Sequence, residues 1–332
     1  MSYSDTRNHI VQALASGAFC SGEELGNQLG ISRAGVAKHI KALQELGLDI
    51  FSVTGKGYKL ASPISLYDKE RMLSELETYG EQKLHVEHVI GSTNDHLKHI
   101  YQSEEESVEK GTVCLAEAQT AGRGRQGKKW VSPFGSSLYL SMYWPFAGGY
   151  QSVSGLSLAI GVAVARTVKS FGNQRVTLKW PNDVYSNGKK LAGVLIDVDG
   201  QLHGACHCII GIGINVALPD NVAEIDQPFT DLNSMLPAMP DKNLLAVALI
   251  RELNKVLTEF EVTGLKPFVD EWNSLDTYQN HPVKLITGST DIKGVAKGID
   301  ESGALQLEIK DSEGRSVLRS FYGGEVSVRP DS

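Results

Sequence analysis

The sequence predicts an α+β fold divided among several domains. Three observations carry this. The chain has 332 residues, more than one ordinary domain holds. Its opening sixty residues read as short helices ending in a hairpin. The rest alternates hairpin-joined strands with a few long helices, then finishes in short strands alone. At 41% hydrophobic and 21% charged residues, the composition is that of a globular protein with ample core. No run of about eighteen apolar residues occurs, so no membrane partner is expected. The start, MSYSDTRNHI, lacks a basic-then-apolar signal pattern, which makes the cytoplasm the expected location. A net charge of −7 argues against general nucleic-acid affinity, so any DNA contact belongs to one small domain.

Residues 1–62 form the first expected domain. A helix over about 5–16 presents Ile10, Val11, Ala13 and Leu14 on one face. In SGEELGNQLG, Ser21 and Glu24 form a capping box, Leu25 and Leu29 share a face, and Gly30 ends the helix. Ser32 caps a third helix whose Val36, Ile40 and Leu43 align. Two short helices around a tight turn predict a helix-turn-helix, and IFSVTGKGYKL, with its Gly55-Lys56-Gly57 centre, predicts a wing. A plain three-helix bundle is the simpler alternative. Against it, Ser32, Arg33, Lys38, His39 and Lys41 form a polar, basic face suited to DNA phosphates and bases, with Lys56 on the wing.

The stretch ASPISLYDKE reads as a linker, and residues 66–275 as the central domain. Strands are expected at HVEHVI, TVCLAEAQ, SLYLSMYW, VTLKW, KLAGVLIDV and HCIIGIGINV. Asn187-Gly188 and Asp199-Gly200 are hairpin signals between neighbours. SVSGLSLAIGVAVARTVKSF is a long apolar helix with Ser152 or Ser154 near its start, and DKNLLAVALIRELNKVLTEF is a second, capped by Asp241. The sum is a mixed, largely antiparallel sheet carrying helices on one face. SEEESVEK (103–110) reads as a solvated loop. Residues 276–332 change to short strands, PVKLIT, IKGVAKGID, ALQLEIK and SVLRSFYGGEVSVRP, which predict a small β-barrel. Cys206-His207-Cys208 suggests a metal site, but alternate strand residues point to opposite faces, so buried free thiols are expected.

The stretch AGRGRQGKKW (121–130) fits G-x-G-x-x-G at Gly122, Gly124 and Gly127. A dinucleotide fingerprint needs a helix opening at those glycines, yet KKWVSPFGSSLYLSMYW leads into a strand. What remains is a flexible cationic loop. Its backbone N–H groups can approach an anion closely, and Arg123 and Arg125 can grip phosphate or carboxylate.

GRGRQGKKW (122–130), KWPND (179–183), KLAG (190–193) and GIGINV (211–216) stand in the order and spacing of biotin–protein ligases, and GSTND (91–95) and GGEVSV (323–328) fit as well. With the winged helix in front, the whole chain resembles the bifunctional bacterial biotin–protein ligase and biotin operon repressor family. The resemblance implies a biotin/lipoate-ligase-like catalytic domain and an SH3-like C-terminal barrel. The family motif is GRGRxGRxW, and Lys128 stands where arginine is usual, keeping charge but losing the planar fork.

The resemblance implies that biotin and ATP are substrates, with Mg²⁺ accompanying ATP. Biotinyl-5′-AMP forms first, and a lysine of the biotin carboxyl carrier protein of acetyl-CoA carboxylase then takes the biotinyl group. Lys190, Arg123 and Arg125 would be catalytic. Ser92, Thr93, Asn94, Gln119, Arg123, Gly124, Arg125, Lys190, Gly211 and Gly213 would bind biotin. Gly122, Lys128, Trp130, Lys179, Asp183, Asn215 and Phe229 would bind ATP or the adenylate, with Asn215 near Mg²⁺. The segment 217–235 matches the adenylate-binding loop. On residues alone, Ser92–Asn94 read as helix caps before NDHLKHI and Lys190 as a turn residue after Asn187-Gly188. Operator DNA of biotin synthesis genes and an adenylate-induced homodimer through the central sheet complete the implied partners. A DNA-binding biotin sensor without catalysis and a lipoate ligase are the alternatives.

Overall fold

The computed structural model describes the chain except residues 1–2, 62, 78–82, 104–107, 173–174, 201–203, 219–224, 226, 288–289, 324–325 and 331–332. The middle of the charged stretch 103–110 therefore lies outside the described residues.

Three helices open the chain: α1 (Tyr3–Leu14), α2 (Gly22–Leu29) and α3 (Arg33–Glu45). The first lies two residues nearer the N-terminus than expected. Ser21 Oγ accepts from the Glu23 and Glu24 amides, Gly30 closes α2 at φ 67°, and Ser32 Oγ accepts from the Gly35 amide at 3.1 Å. Strands β1 (Ile50–Val53) and β2 (Gly57–Leu60) pair as the wing. Ile10, Leu14, Leu25, Val36, Ile40 and Leu43 fill a core that these elements share. The unit docks on the central sheet through α1. Asn8 Oδ1 accepts from the Val89 amide and Asn8 Nδ2 donates to Glu87 Oε2, both at 2.8 Å.

The central sheet has seven strands in the order β3-β4-β5-β9-β8-β7-β6. They are β3 (Leu84–Ile90), β4 (Val113–Gln119), β5 (Ser137–Phe146), β6 (Val176–Lys179), β7 (Asp183–Ser186), β8 (Lys189–Gly200) and β9 (Cys206–Asn215). Only β3 and β4 run parallel. Helices α4 (Lys69–Leu76), α5 (Thr93–Ser103), α6 (Leu156–Ser170), α7 (Lys242–Thr263) and α8 (Val269–Ser274) complete the domain. Helices cover both faces, not one. On β5, Leu138, Leu140, Met142, Trp144 and Phe146 join the core made by α6 and α7, whereas Tyr143 joins Leu97 of α5 on the opposite side. The parallel β3–β4 pair explains the difference, since it needs a crossover, and α5 is that crossover.

Asn187 (φ 49°) and Gly188 (φ 73°) make the two-residue turn between β7 and β8 as expected. Asp199-Gly200 does not turn: β8 continues to Gly200, opposite Cys206. A side chain at Gly200 would stand 2.8 Å from the Ala205 carbonyl, so the glycine there serves close strand approach. Neither Ser152 nor Ser154 caps α6. A 3₁₀ turn, Tyr150–Val153, precedes it, and Gly155 at φ 76° begins it. Asp241 does cap α7, accepting from the Asn243 amide at 2.8 Å. Tyr150–Ser170 is apolar and long enough to cross a membrane by composition, yet most of α6, from Leu156 to Val168, is buried in the core. Cys206 and Cys208 are buried on the α6–α7 side, while His207 faces away, its Nδ1 2.7 Å from the Tyr143 hydroxyl.

The last unit is one antiparallel five-stranded sheet in the order β13-β12-β11-β10-β14. Its strands are β10 (Pro282–Thr287), β11 (Thr290–Ile299), β12 (Leu305–Lys310), β13 (Ser316–Phe321) and β14 (Val326–Pro330). SVLRSFYGGEVSVRP thus supplies two strands at opposite edges. Val283, Leu285, Leu307 and Val328 continue the central core without a break. That continuity brings β14 to the cleft.

Candidate active site

A cleft of about 350 Å³ opens where the N-terminus of α5, the ends of β4 and β6, strands β8 and β9, and the Gly-rich loop converge. Arg329 of β14 lines it from the barrel. Every central-domain residue to which the resemblance gives a ligand role lines this cleft except Gly122. Gly122 lies behind the wall, where a side chain would meet the Trp130 carbonyl at 2.5 Å.

One wall is polar and buried. Ser92 Oγ accepts from the Asp95 amide at 3.4 Å, the capping role its position suggests. Thr93 and Asn94 are held differently. Gln119 Oε1 accepts from the Thr93 amide at 2.9 Å, and Gln119 Nε2 donates to Ser132 Oγ at 3.1 Å. Ser141 Oγ lies 2.7 Å from Thr93 Oγ1 and donates to Asn94 Oδ1 at 2.5 Å. Asn94 Nδ2 donates to Asp197 Oδ2 at 3.0 Å. Donors and acceptors thus alternate along this wall.

The Gly-rich loop folds back on itself. Gly124 N donates to the Lys128 carbonyl at 2.6 Å and Trp130 N to the Gly122 carbonyl at 2.9 Å. Gln126 (φ 56°) and Gly127 (φ 71°) adopt left-handed conformations in the turn between. Arg123 pairs with Asp95 at 2.7 Å and Asp197 at 2.5 Å. Arg125 reaches inward, Nη1 donating to Asn182 Oδ1 at 3.0 Å, and burial lowers its pKa against the pull of Asp183. Lys128 is exposed at the rim.

Lys190 lies on β8, not in the turn, with Nζ 2.7 Å from Asp183 Oδ1 and 5.3 Å from the centre of the Trp130 ring. Trp130 rests across Gly193 and Gly213: a side chain at Gly213 would stand 2.5 Å from the indole. At Gly211 a side chain would run into the Asn94 amide. Both glycines of GIGINV therefore make room for protein side chains. Lys179 is buried at 6% exposure and donates to the Tyr185 hydroxyl at 3.0 Å. Burial, then the charge of Arg329, lowers its pKa to about 8. Asn215 Nδ2 donates to the carbonyls of Thr230 at 3.0 Å and Lys190 at 3.4 Å. These bonds and the main-chain pairing of Lys190 with Phe229 lay the described end of the 217–235 segment beside β8.

Five residues at the site escaped the sequence reading: Asp95, Ser141, Asn182, Asp197 and Arg329. Asp95 and Asn182 lie inside GSTND and KWPND, where nothing local sets them apart from their neighbours. Ser141, Asp197 and Arg329 carried no local signal.

In the N-terminal unit, Ser32, Arg33, Lys38, Lys41 and Lys56 are exposed, on α3 and the wing. His39 is a correction to the expected DNA face. It lies three residues from Val36 and four from Leu43, so it shares the inward face at 7% exposure. Burial, then Arg7 and Lys38, lowers its pKa.

Fold and site together define an anion-binding catalytic core on a mixed sheet, joined to a winged-helix module and a small barrel. Residues 86–215 match the biotin/lipoate A/B protein ligase family, residues 6–59 an HTH domain, and residues 280–329 the biotin protein ligase C-terminal domain. The chain is 43% identical over 322 residues to the bifunctional ligase/repressor BirA of Salmonella typhimurium, spanning 96% of each chain. It is 42% identical to that of Escherichia coli over the same shares. Among solved structures it superposes on the Aquifex aeolicus biotin protein ligase in complex with biotin and ATP. The TM-score is 0.63 and the identity 29%, covering 75% of this chain and 99% of that one. The chain belongs to the family of bifunctional biotin ligase/repressors.

Proposed function

We infer that the chain makes biotinyl-5′-AMP from biotin and ATP, transfers the biotinyl group to a protein lysine, and represses transcription with the adenylate as its corepressor. One observation carries the site reading: Lys190, Arg125 and the Thr93–Asn94–Gln119 wall meet in one cleft. In the first step a biotin carboxylate oxygen attacks the α-phosphorus of ATP, and the bond to the pyrophosphate oxygen breaks. In the second, a lysine amine attacks the biotinyl carbonyl, the carbonyl–phosphate oxygen bond breaks, AMP leaves, and the amine loses a proton. Both steps bring anions together or build charge on phosphate, so placed cations suffice and no protein nucleophile is needed. We assign Lys190 and Arg125 to the carboxylate and α-phosphate, the polar wall to the ureido ring, Trp130 and Phe229 to the adenylate, and Lys179 to the distal phosphates. Lys190 is held for this by Asp183, which fixes its ammonium beside the ring of Trp130.

Mg²⁺ would enter with ATP and neutralise phosphate oxygens. It takes one or two protein oxygens beside phosphate, and the side-chain oxygens of Asp183 and Asn215 in the cleft fit that need. Among the described residues no cluster of three His, Cys, Asp or Glu side chains forms a separate metal site. The reading divides the chain into a DNA-binding domain (1–62), a catalytic domain (66–275) and a barrel (276–332). The carrier protein of acetyl-CoA carboxylase is the proposed acceptor and the operator of biotin synthesis genes the proposed DNA. A homodimer through the central sheet is supported by β8, whose bonds on the β7 side end at Val194 and leave Leu195 to Asp199 without a neighbouring strand on that side among the described residues.

Biotin-dependent exchange of labelled pyrophosphate into ATP tests the ligase, with lipoate as control. Exchange with biotin alone is expected, and exchange with lipoate alone would overturn the assignment. Operator binding is expected to weaken when Arg33, Lys38 and Lys41 become alanine, with a shallower salt slope. A separate result is expected from Lys179. Its depressed pKa means the cation is present below about pH 8 and lost above it. KM for ATP should therefore rise as pH passes about 8, and Lys179→Met should flatten that profile. An unchanged profile in the variant removes Lys179 from the phosphate site.

A further inference from the structure

Arg123 is the motif's first arginine, yet its guanidinium is already engaged. Nη2 donates to Asp95 Oδ1 at 2.7 Å and to Asp197 Oδ2 at 2.5 Å, and Nη1 lies 3.4 Å from Asp197 Oδ1. One positive charge therefore faces two carboxylates from different elements: Asp95 in the first turn of α5 and Asp197 on β8. The remaining bonds lead inward. Asp197 Oδ2 also accepts from Asn94 Nδ2 at 3.0 Å, and Asn94 Oδ1 accepts from Ser141 Oγ, which has no exposure at all.

We propose that Asp197, assisted by Asp95, is a positioning residue that clasps the Gly-rich loop across the cleft through Arg123. This deepens the ligase reading and rests on it for its kinetic consequence alone. An isolated surface ion pair would contribute little. This one differs in two respects. The Asp197 carboxylate is approached by both terminal nitrogens of Arg123, and it is itself tethered to a buried hydroxyl through Asn94. Burial alone would lower the Arg123 pKa, but the bonds and charge of Asp197, then Asp95, raise it.

The consequence is a division of labour between the two arginines. Arg123 has its charge outweighed locally and serves to hold the loop. Arg125 points into the cleft, where its Nη1 donates to the neutral Asn182 amide oxygen, and it is the arginine we assign to the ligand's anions. The same Asp197–Asn94 bond links the loop to the wall assigned to the ureido ring. Loosening the clasp should therefore weaken biotin binding ahead of chemistry.

The loop itself offers the test, since Arg123, Arg125, Lys128 and Lys129 are trypsin sites. In the ligand-free full-length protein, Asp197→Asn should speed cleavage within 123–129 about tenfold, the effect of losing one charge-assisted hydrogen bond. Asp95→Asn, at a more exposed position, should speed it less, and Asp197→Glu should restore protection. In pyrophosphate exchange, Asp197→Asn should raise KM for biotin about tenfold with kcat near that of the parent. Unchanged cleavage in both asparagine variants would overturn the clasp, as would a fall in kcat at constant KM. The cleavage readout needs no substrate. Faster cutting in a protein that shows no biotin-dependent exchange would keep the clasp and reject the ligase reading instead.

Discussion

Lys190→Ala is expected to lower kcat for biotin-dependent pyrophosphate exchange by ~10²–10³, the usual loss when one placed electrostatic stabiliser is removed. The side chain is well placed for this. It is only 14% exposed, its ammonium is fixed by Asp183 at 2.7 Å, and the ring of Trp130 flanks it. A cation held in that way need not reorganise as charge develops on phosphate. The substitution leaves the Asp183 carboxylate without its partner, which costs about 1–3 kcal/mol of stability. Lys190→Arg separates the two effects. It keeps the pair with Asp183 and so the stability, but it moves the charge centre and replaces a point charge by a planar fork. Activity should therefore be reduced in Lys190→Arg while its melting temperature stays near the parent's. Near-normal exchange by folded Lys190→Ala would remove this lysine from the chemistry.

The second large effect is on folding. Lys242→Met is expected to cost about 3–5 kcal/mol, the range for breaking a buried ion pair from one side. Glu117 on β4 is 1% exposed, and its Oε1 accepts from Lys242 Nζ at 2.5 Å and from the Tyr67 amide at 2.8 Å. Lys242 also lies 4.5 Å from the centre of the Tyr67 ring. Burial pushes the Glu117 pKa up and the Lys242 pKa down, each being drawn back towards its charged form by the other. Without Lys242 the Glu117 pKa must rise further. A carboxyl raised in the folded state contributes stability below its unfolded pKa, and that contribution is lost as pH rises through the folded value. The deficit of Lys242→Met should thus be small near pH 4–5 and full at pH 8. Adding Glu117→Gln should recover most of it, because glutamine can still accept from Tyr67. Denaturant unfolding at the two pH values decides the matter: an equal deficit at both would mean that lost packing, and not the stranded charge, is the cause.

What the sequence disclosed depended on how local the cause was. The caps of α2, α3 and α7 were legible because Ser21, Ser32 and Asp241 bond to amides two or three residues away. The Asn187-Gly188 turn was legible for the same reason. Helices α4 and α8 were not seen, having eight and six residues and too few turns to show a period. Tyr67, read as linker, is core, because its burial depends on Glu117 and Lys242 far along the chain. His39 was placed on the DNA face by its polarity, although its spacing from Val36 and Leu43 put it inside. At the site, the motifs located the cleft and most of its lining. They did not show that Arg123 is held by Asp95 and Asp197, or that β14 brings in Arg329. Both depend on strand order and on the joined core of sheet and barrel.

Trp130 gives the cleft an optical property. Of the four tryptophans, Trp144, Trp180 and Trp272 are at most 3% exposed. Trp130 is the half-buried one, lying over glycine with an ammonium beside its ring. Its emission is therefore the one most open to solvent polarity and to movement of the Gly-rich loop. The chain carries its own fluorophore at the mouth of the cleft, so occupancy can be followed in real time without attaching a dye.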